Sequence, residues 1–69
     1  MKLEDYRVKL GWPKAELARQ AKISVGTVID AEKGKRIYKA TAGKIANALS
    51  TGLGVEITYK DIEGLNLAD

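Results

Sequence analysis

The stretch that decides the fold is residues 13–36, PKAELARQAKISVGTVIDAEKGKR. Its first half has the apolar spacing of a short helix over residues 13–21. After a short turn, Ser24 is placed to cap a second helix over residues 25–33, and Gly34 is placed to end it. The pattern predicts two short helices joined by a tight turn and followed by a basic loop.

One helix is predicted before this pair and one after it. Apolar residues at helical spacing indicate a first helix over residues 2–10, with Gly11 at its end. A loop over residues 35–40 then leads to Thr41, a suitable N-cap for a fourth helix with a buried stripe.

The C-terminal quarter is predicted to form a fifth helix over residues 58–67. Thr58 is followed three residues later by Asp61, which is close to the capping-box pattern that starts many helices. Residues 55–58 alternatively suit a short strand, although an isolated strand has no evident partner. We therefore expect residues 1–69 to form a single all-α domain, a compact bundle of five short helices.

The composition excludes several classes of protein. The 69 residues contain neither Cys nor His, which rules out disulfides and the common zinc frameworks. No glycine-rich phosphate loop follows a strand, and no cluster of acids suits a metal, so we expect no enzyme, metal or cofactor. The N-terminus has no signal-peptide pattern and no segment is long enough to span a membrane, which favours a cytoplasmic protein.

Positive charge is unevenly distributed along the chain. Residues 1–50 carry eleven of the twelve Lys and Arg residues but only five of the nine acids. The remaining residues, 51–69, carry one Lys and four acids. Such asymmetry is expected of a nucleic-acid-binding face backed by an acidic tail, although a solvated basic loop is the simpler alternative.

The motif itself, ELARQAKISVGTVIDAEKGKR, resembles the Cro and lambda-repressor type of helix-turn-helix (the XRE-like regulators). The likeness extends to LGW before the motif and TAGKIANAL after it, and so covers about residues 3–50. In that family the second helix of the motif lies in the major groove of DNA. The resemblance implies a small transcriptional regulator, expected to be a repressor, that binds double-stranded DNA in a sequence-specific way.

The resemblance also implies roles for individual residues. Side chains early in the second helix of the motif would face base edges, and basic side chains on either side would bind phosphates. An ion pair between Arg7 and Glu32 would tie the first helix to the end of the third. The expected DNA-binding residues are Lys14, Ser24, Val25, Gly26, Thr27, Asp30, Lys33, Lys35 and Arg36.

Three residues on the expected reading helix favour a second hypothesis. Gly26 leaves that face bare, Ile29 is expected to be exposed, and Asp30 would repel phosphates. The domain would then be a protein-interaction module, such as an antitoxin or a regulator's partner, with weak DNA contact.

The oligomeric state has two interpretations. Members of the family commonly bind DNA as two-fold dimers. The C-terminal apolar residues Ile57, Ile62 and Leu65 are the candidate interface of a homodimer. A monomer that uses them to close its own core is the alternative.

Overall fold

The computed structural model describes residues 1–68 and contains four helices, two short strands and one 3-10 turn. The helices are α1 (Leu3–Lys9), α2 (Lys14–Ala21), α3 (Val25–Glu32) and α4 (Lys39–Leu53). The strands are β1 (Arg36–Tyr38) and β2 (Asn66–Ala68), and the 3-10 turn is Tyr59–Asp61. The mostly helical class is as expected, but the bundle of five helices is not.

The predicted fifth helix is wrong. The capping box of Thr58 and Asp61 is present, with the Thr58 backbone N–H donating to Asp61 Oδ2 at 2.9 Å. However, the helical turn ends at Asp61, because Ile62 is already extended (φ −93°, ψ 111°) and Gly64 has a φ of 83°. The chain then runs as strand β2, so the cap starts a single turn and not a helix over residues 58–67.

The segment after α3 also differs from the expected loop. Ile37 is buried while its neighbours Arg36 and Tyr38 are exposed, which is the alternation of a strand with one covered face. This strand, β1, pairs in parallel with β2, Ile37 lying opposite Leu67. Consequently α4 begins at Lys39, with Tyr38 as its N-cap in place of the predicted Thr41.

The core lies where α2, α3 and α4 meet. Small residues, among them Ala18 on α2 and Ala46 on α4, are buried there and allow close approach of the helices. The five largest fully buried side chains come from all four helices: Leu3, Leu17, Val28, Ile45 and Leu49. None of the helices in residues 1–68 has the length and apolar character needed to cross a membrane.

The C-terminal apolar residues mainly complete this core. Ile57 and Ile62 are only 7% and 4% exposed, and both belong to the main cluster of buried residues. They are therefore unavailable as the subunit interface that the sequence suggested. Leu65, the third residue of that expected interface, is half-buried and packs against the cluster.

Candidate nucleic-acid interface

The turn between α2 and α3 has the geometry of a Schellman motif. Lys22 adopts the left-handed conformation (φ 59°, ψ 44°), and its N–H donates to Arg19 O at 3.3 Å. The Ile23 N–H reaches back to Ala18 O at 3.0 Å. These bonds satisfy the last carbonyls of α2 and fix the direction in which α3 leaves the turn.

The first turn of α3 is capped by Ser24 and open to solvent. Ser24 Oγ accepts from the Thr27 N–H at 3.1 Å and lies 2.8 Å from Thr27 Oγ1. Val25 is 40% exposed and Gly26 is exposed. Because a hydroxyl has one donor and two acceptor positions, Thr27 keeps hydrogen-bonding capacity beyond its contact with Ser24.

The far end of α3 is held by an ion pair with α1. Arg7 Nε donates to Glu32 Oε2 at 2.6 Å and Nη2 to Oε1 at 3.2 Å, while Nη1 donates to Trp12 O at 3.0 Å. The two charged side chains are only 12% and 8% exposed, and the hydrogen bond to Glu32 is the main cause that raises the pKa of Arg7. The structure thus brings together α1, the α1–α2 connection and the end of α3.

Exposed basic residues occur before and after α3 along the chain. Lys14 is the first residue of α2, and residues 33–36, which we call the basic segment, follow α3 directly. Lys33, Lys35 and Arg36 are all exposed. Lys35 Nζ lies 3.8 Å from Asp30 Oδ1, but both side chains are about half exposed or more, so this pair is weak.

The comparisons with known proteins identify the family. A family model described as helix-turn-helix matches residues 3–59. The chain belongs to the helix-turn-helix family of the Cro and lambda-repressor type. This is a family of DNA-binding transcription regulators, and its members bind double-stranded DNA. Neither a curated protein nor a solved structure matched the sequence.

Within this helix-turn-helix framework the structure differs from the sequence-based expectation at Ile29 and in forming strand β1, which was expected to be a loop. Ile29 is half-buried and not exposed as expected. Tyr38 is 66% exposed and lies on the same face of β1 as Arg36. The alternation around Ile37 was the available signal for this strand.

Proposed function

We propose that this helix-turn-helix protein is a sequence-specific regulator of transcription, acting as a repressor, whose helix α3 enters the major groove of its target. The observation that carries the proposal is the contrast between the two sides of α3. Its first turn is open and exposed basic residues occur before and after α3 along the chain, whereas Val28 and Ala31 are fully packed behind it. A helix held from behind in this way presents its first turn to a partner of opposite charge.

Base contacts are assigned to the first turn and the middle of α3. Val25 offers its exposed methyl groups to a thymine methyl, and Thr27 offers a methyl and a hydroxyl. Gly26 allows close approach of a base pair to the helix backbone. Asp30 accepts a hydrogen bond from cytosine N4.

Phosphate contacts are assigned to the four exposed basic side chains that precede and follow α3 along the chain. Lys14 and the basic segment contact the backbone on either side of the groove, and Ser24 lies at the entry to α3. Four such contacts predict a dependence of log K on log salt with a slope of about −3.6 for each domain. Two domains on one operator would double it.

The active form is proposed to be a homodimer on two half-sites about one helical turn apart. Since Ile57 and Ile62 are buried, the interface would use apolar surface that remains open. Val55, which lies two residues after the end of α4 and is 58% exposed, offers such a surface in the C-terminal region. Val55→Asp is expected to shift the sedimentation coefficient from that of a dimer to that of a monomer. An unchanged dimer would show that the interface does not include Val55.

The test of DNA binding is fluorescence anisotropy with a random duplex and a duplex selected from a pool, each at low and at physiological salt. Thr27→Ala is expected to change which sequence is preferred. The discrimination between bases at one position is expected to change by about 1–3 kcal/mol. Lys35→Ala is expected to weaken all sequences alike and to reduce the salt slope by about one per domain.

A matched control for the lysine variant is Lys60→Ala, which removes the same charge from the 3-10 turn. If Lys60→Ala weakens binding as much as Lys35→Ala, the effect is one of net charge and the assignment of the basic segment fails. Equal and uniform losses from Thr27→Ala and Lys35→Ala would refute the assignment of base reading to α3.

The second candidate function is a protein-interaction module, an antitoxin or a partner of another regulator. It is favoured by the bare Gly26 and by the carboxylate of Asp30, whose side chain is 48% exposed on the face of α3. Half-burial of Ile29 reduces the apolar surface that such a partner would use. Absence of binding to either duplex at low salt would favour this function over the first.

A further inference from the structure

Strand β2 lies directly beside the basic segment. Arg36 pairs with Asn66 and Ile37 with Leu67 in the parallel ladder. Beyond the ladder, Asn66 Nδ2 donates to Gly34 O at 3.4 Å. We infer that β2 is a strap that holds the basic segment in the conformation that binds the DNA backbone, and that Asn66 and Leu67 are positioning residues for that contact.

The basic segment needs such a strap because α3 holds only its first part. The backbone N–H of Lys35 donates to Asp30 O at 2.9 Å, and this is the last bond from the segment back to α3 among the described residues. From Arg36 onward the chain runs as β1, whose ladder partner is β2. The backbone of Arg36 is therefore paired with a residue thirty positions further along the chain.

The strap is itself anchored by the core. Leu65 and Leu67 pack against the main cluster of buried residues, and Ile62 is buried within it. A ladder of two three-residue strands has little stability of its own in water. Packing of Leu67 thus keeps β2, and through it the basic segment, in place.

The expected effect of β2 on DNA affinity rests on the proposed function, since it presumes that the domain binds DNA. A segment that is already ordered adds nothing to the conformational entropy lost on binding, whereas a loosened one must be ordered by the DNA. Neither Asn66 nor Leu67 is assigned a DNA contact. Loosening β2 is expected to raise Kd by about tenfold, which corresponds to about 1.4 kcal/mol.

The experiment compares Leu67→Asn with Val8→Asn in the full chain. Both variants replace an aliphatic side chain with the same neutral amide, but Leu67 packs on the core within β2, whereas Val8 is 61% exposed on α1, outside the ladder. Asn is disfavoured in strands, so the first variant weakens the ladder as well as the packing. Anisotropy with the random duplex gives Kd and the salt slope, and amide hydrogen exchange reports the order of residues 36–38.

The expected result is a Kd raised about tenfold for Leu67→Asn, a salt slope reduced by about one, and faster exchange over residues 36–38. Val8→Asn is expected to keep the wild-type Kd, salt slope and exchange rates. Should Leu67→Asn fail to fold, as judged by circular dichroism, Asn66→Ala replaces it with an expected two- to threefold loss. In that case Lys60→Ala is the exposed control.

Two results would overturn the inference while leaving DNA binding intact. One is a folded strap variant that binds as tightly as the wild type. The other is a weakened variant with the wild-type salt slope and unchanged exchange over residues 36–38, which would indicate general destabilisation. Failure of the wild-type protein itself to bind either duplex at low salt would refute the proposed function, and this inference with it.

Discussion

Replacing Lys22 with glycine is expected to stabilise the domain. Lys22 is the one non-glycine residue of the described chain with a positive φ. A side chain with a β-carbon in the left-handed region costs about 1–2 kcal/mol, because the β-carbon approaches the following carbonyl oxygen. Glycine has no such atom and would still donate the N–H that closes the turn between α2 and α3.

The expected gain is smaller than the strain that is removed. Glycine loses more backbone entropy on folding than other residues, by roughly 0.5–1 kcal/mol, so the net gain in the free energy of unfolding is about 0.5–1 kcal/mol. An unfolding entropy of about 2.1 cal/mol/K per residue gives roughly 145 cal/mol/K for 69 residues. The melting temperature is therefore expected to rise by about 3–7 °C.

The assay is thermal unfolding followed by far-ultraviolet circular dichroism and by the fluorescence of Trp12, the only tryptophan. Lys22→Ala is the matched control, because it removes the charge and the long side chain but keeps the β-carbon. The reasoning requires a clear difference between the two variants. Equal melting temperatures for Lys22→Gly and Lys22→Ala would show that the lysine side chain, and not the backbone conformation, sets the stability of the turn.

Two further substitutions test packing and electrostatics around the same helices. Gly52→Ala is expected to cost about 1–2 kcal/mol in unfolding titrations and to shift the indole emission, because its β-carbon would lie 2.8 Å from the ring of Trp12. The matched control is Gly43→Ala on the same helix, whose β-carbon would lie in open space; its free energy of unfolding is expected to rise by up to about 1 kcal/mol. Equal responses of the two variants would contradict the contact between residue 52 and Trp12. Glu32→Gln is expected to cost about 1–3 kcal/mol in the same titrations, since it leaves a poorly exposed arginine without its counter-charge. The exposed pair of Glu16 is the control, and a loss from Glu16→Gln as large as that from Glu32→Gln would contradict the role of burial.

The helix-turn-helix was predictable because its signals are local. Ser24 caps α3 through its own side chain, and Gly34 takes a positive φ just after the helix, so each boundary is set by residues within one turn of it. Apolar spacing likewise placed Val28 and Ala31 on the buried side. Which of the exposed residues of α3 touch DNA is a different matter, since that depends on a partner and not on the chain.

The C-terminal segment was mispredicted because two periodicities compete there. Ile62 and Leu65 are three residues apart, which suits a helix, whereas Leu65 and Leu67 are two apart, which suits a strand. The capping box at Thr58 favours the helix, but Gly64 interrupts it and β1 supplies a ladder partner. That partner lies far away in sequence, so inspection of a local window does not reveal the strand.

Helix α3 is too short to be stable in isolation, so its orientation must come from its surroundings. An eight-residue helix is well below the length at which helices persist in water, even with good caps. Besides the core packing of Val28 and Ala31, three features hold it: the turn at Lys22, the ion pair of Glu32 with Arg7, and the segment after it, which leads into strand β1 paired with β2. In the proposed DNA complex, each of these three features is expected to affect a different measured property. Relief of strain at the turn should change stability alone, and loss of the ion pair should weaken the fit of α3 to all sequences. Loosening the strap should lower the salt slope. If all three changes altered DNA binding in proportion to the loss or gain of stability, these features would act on the fold as a whole and not separately on the orientation of α3.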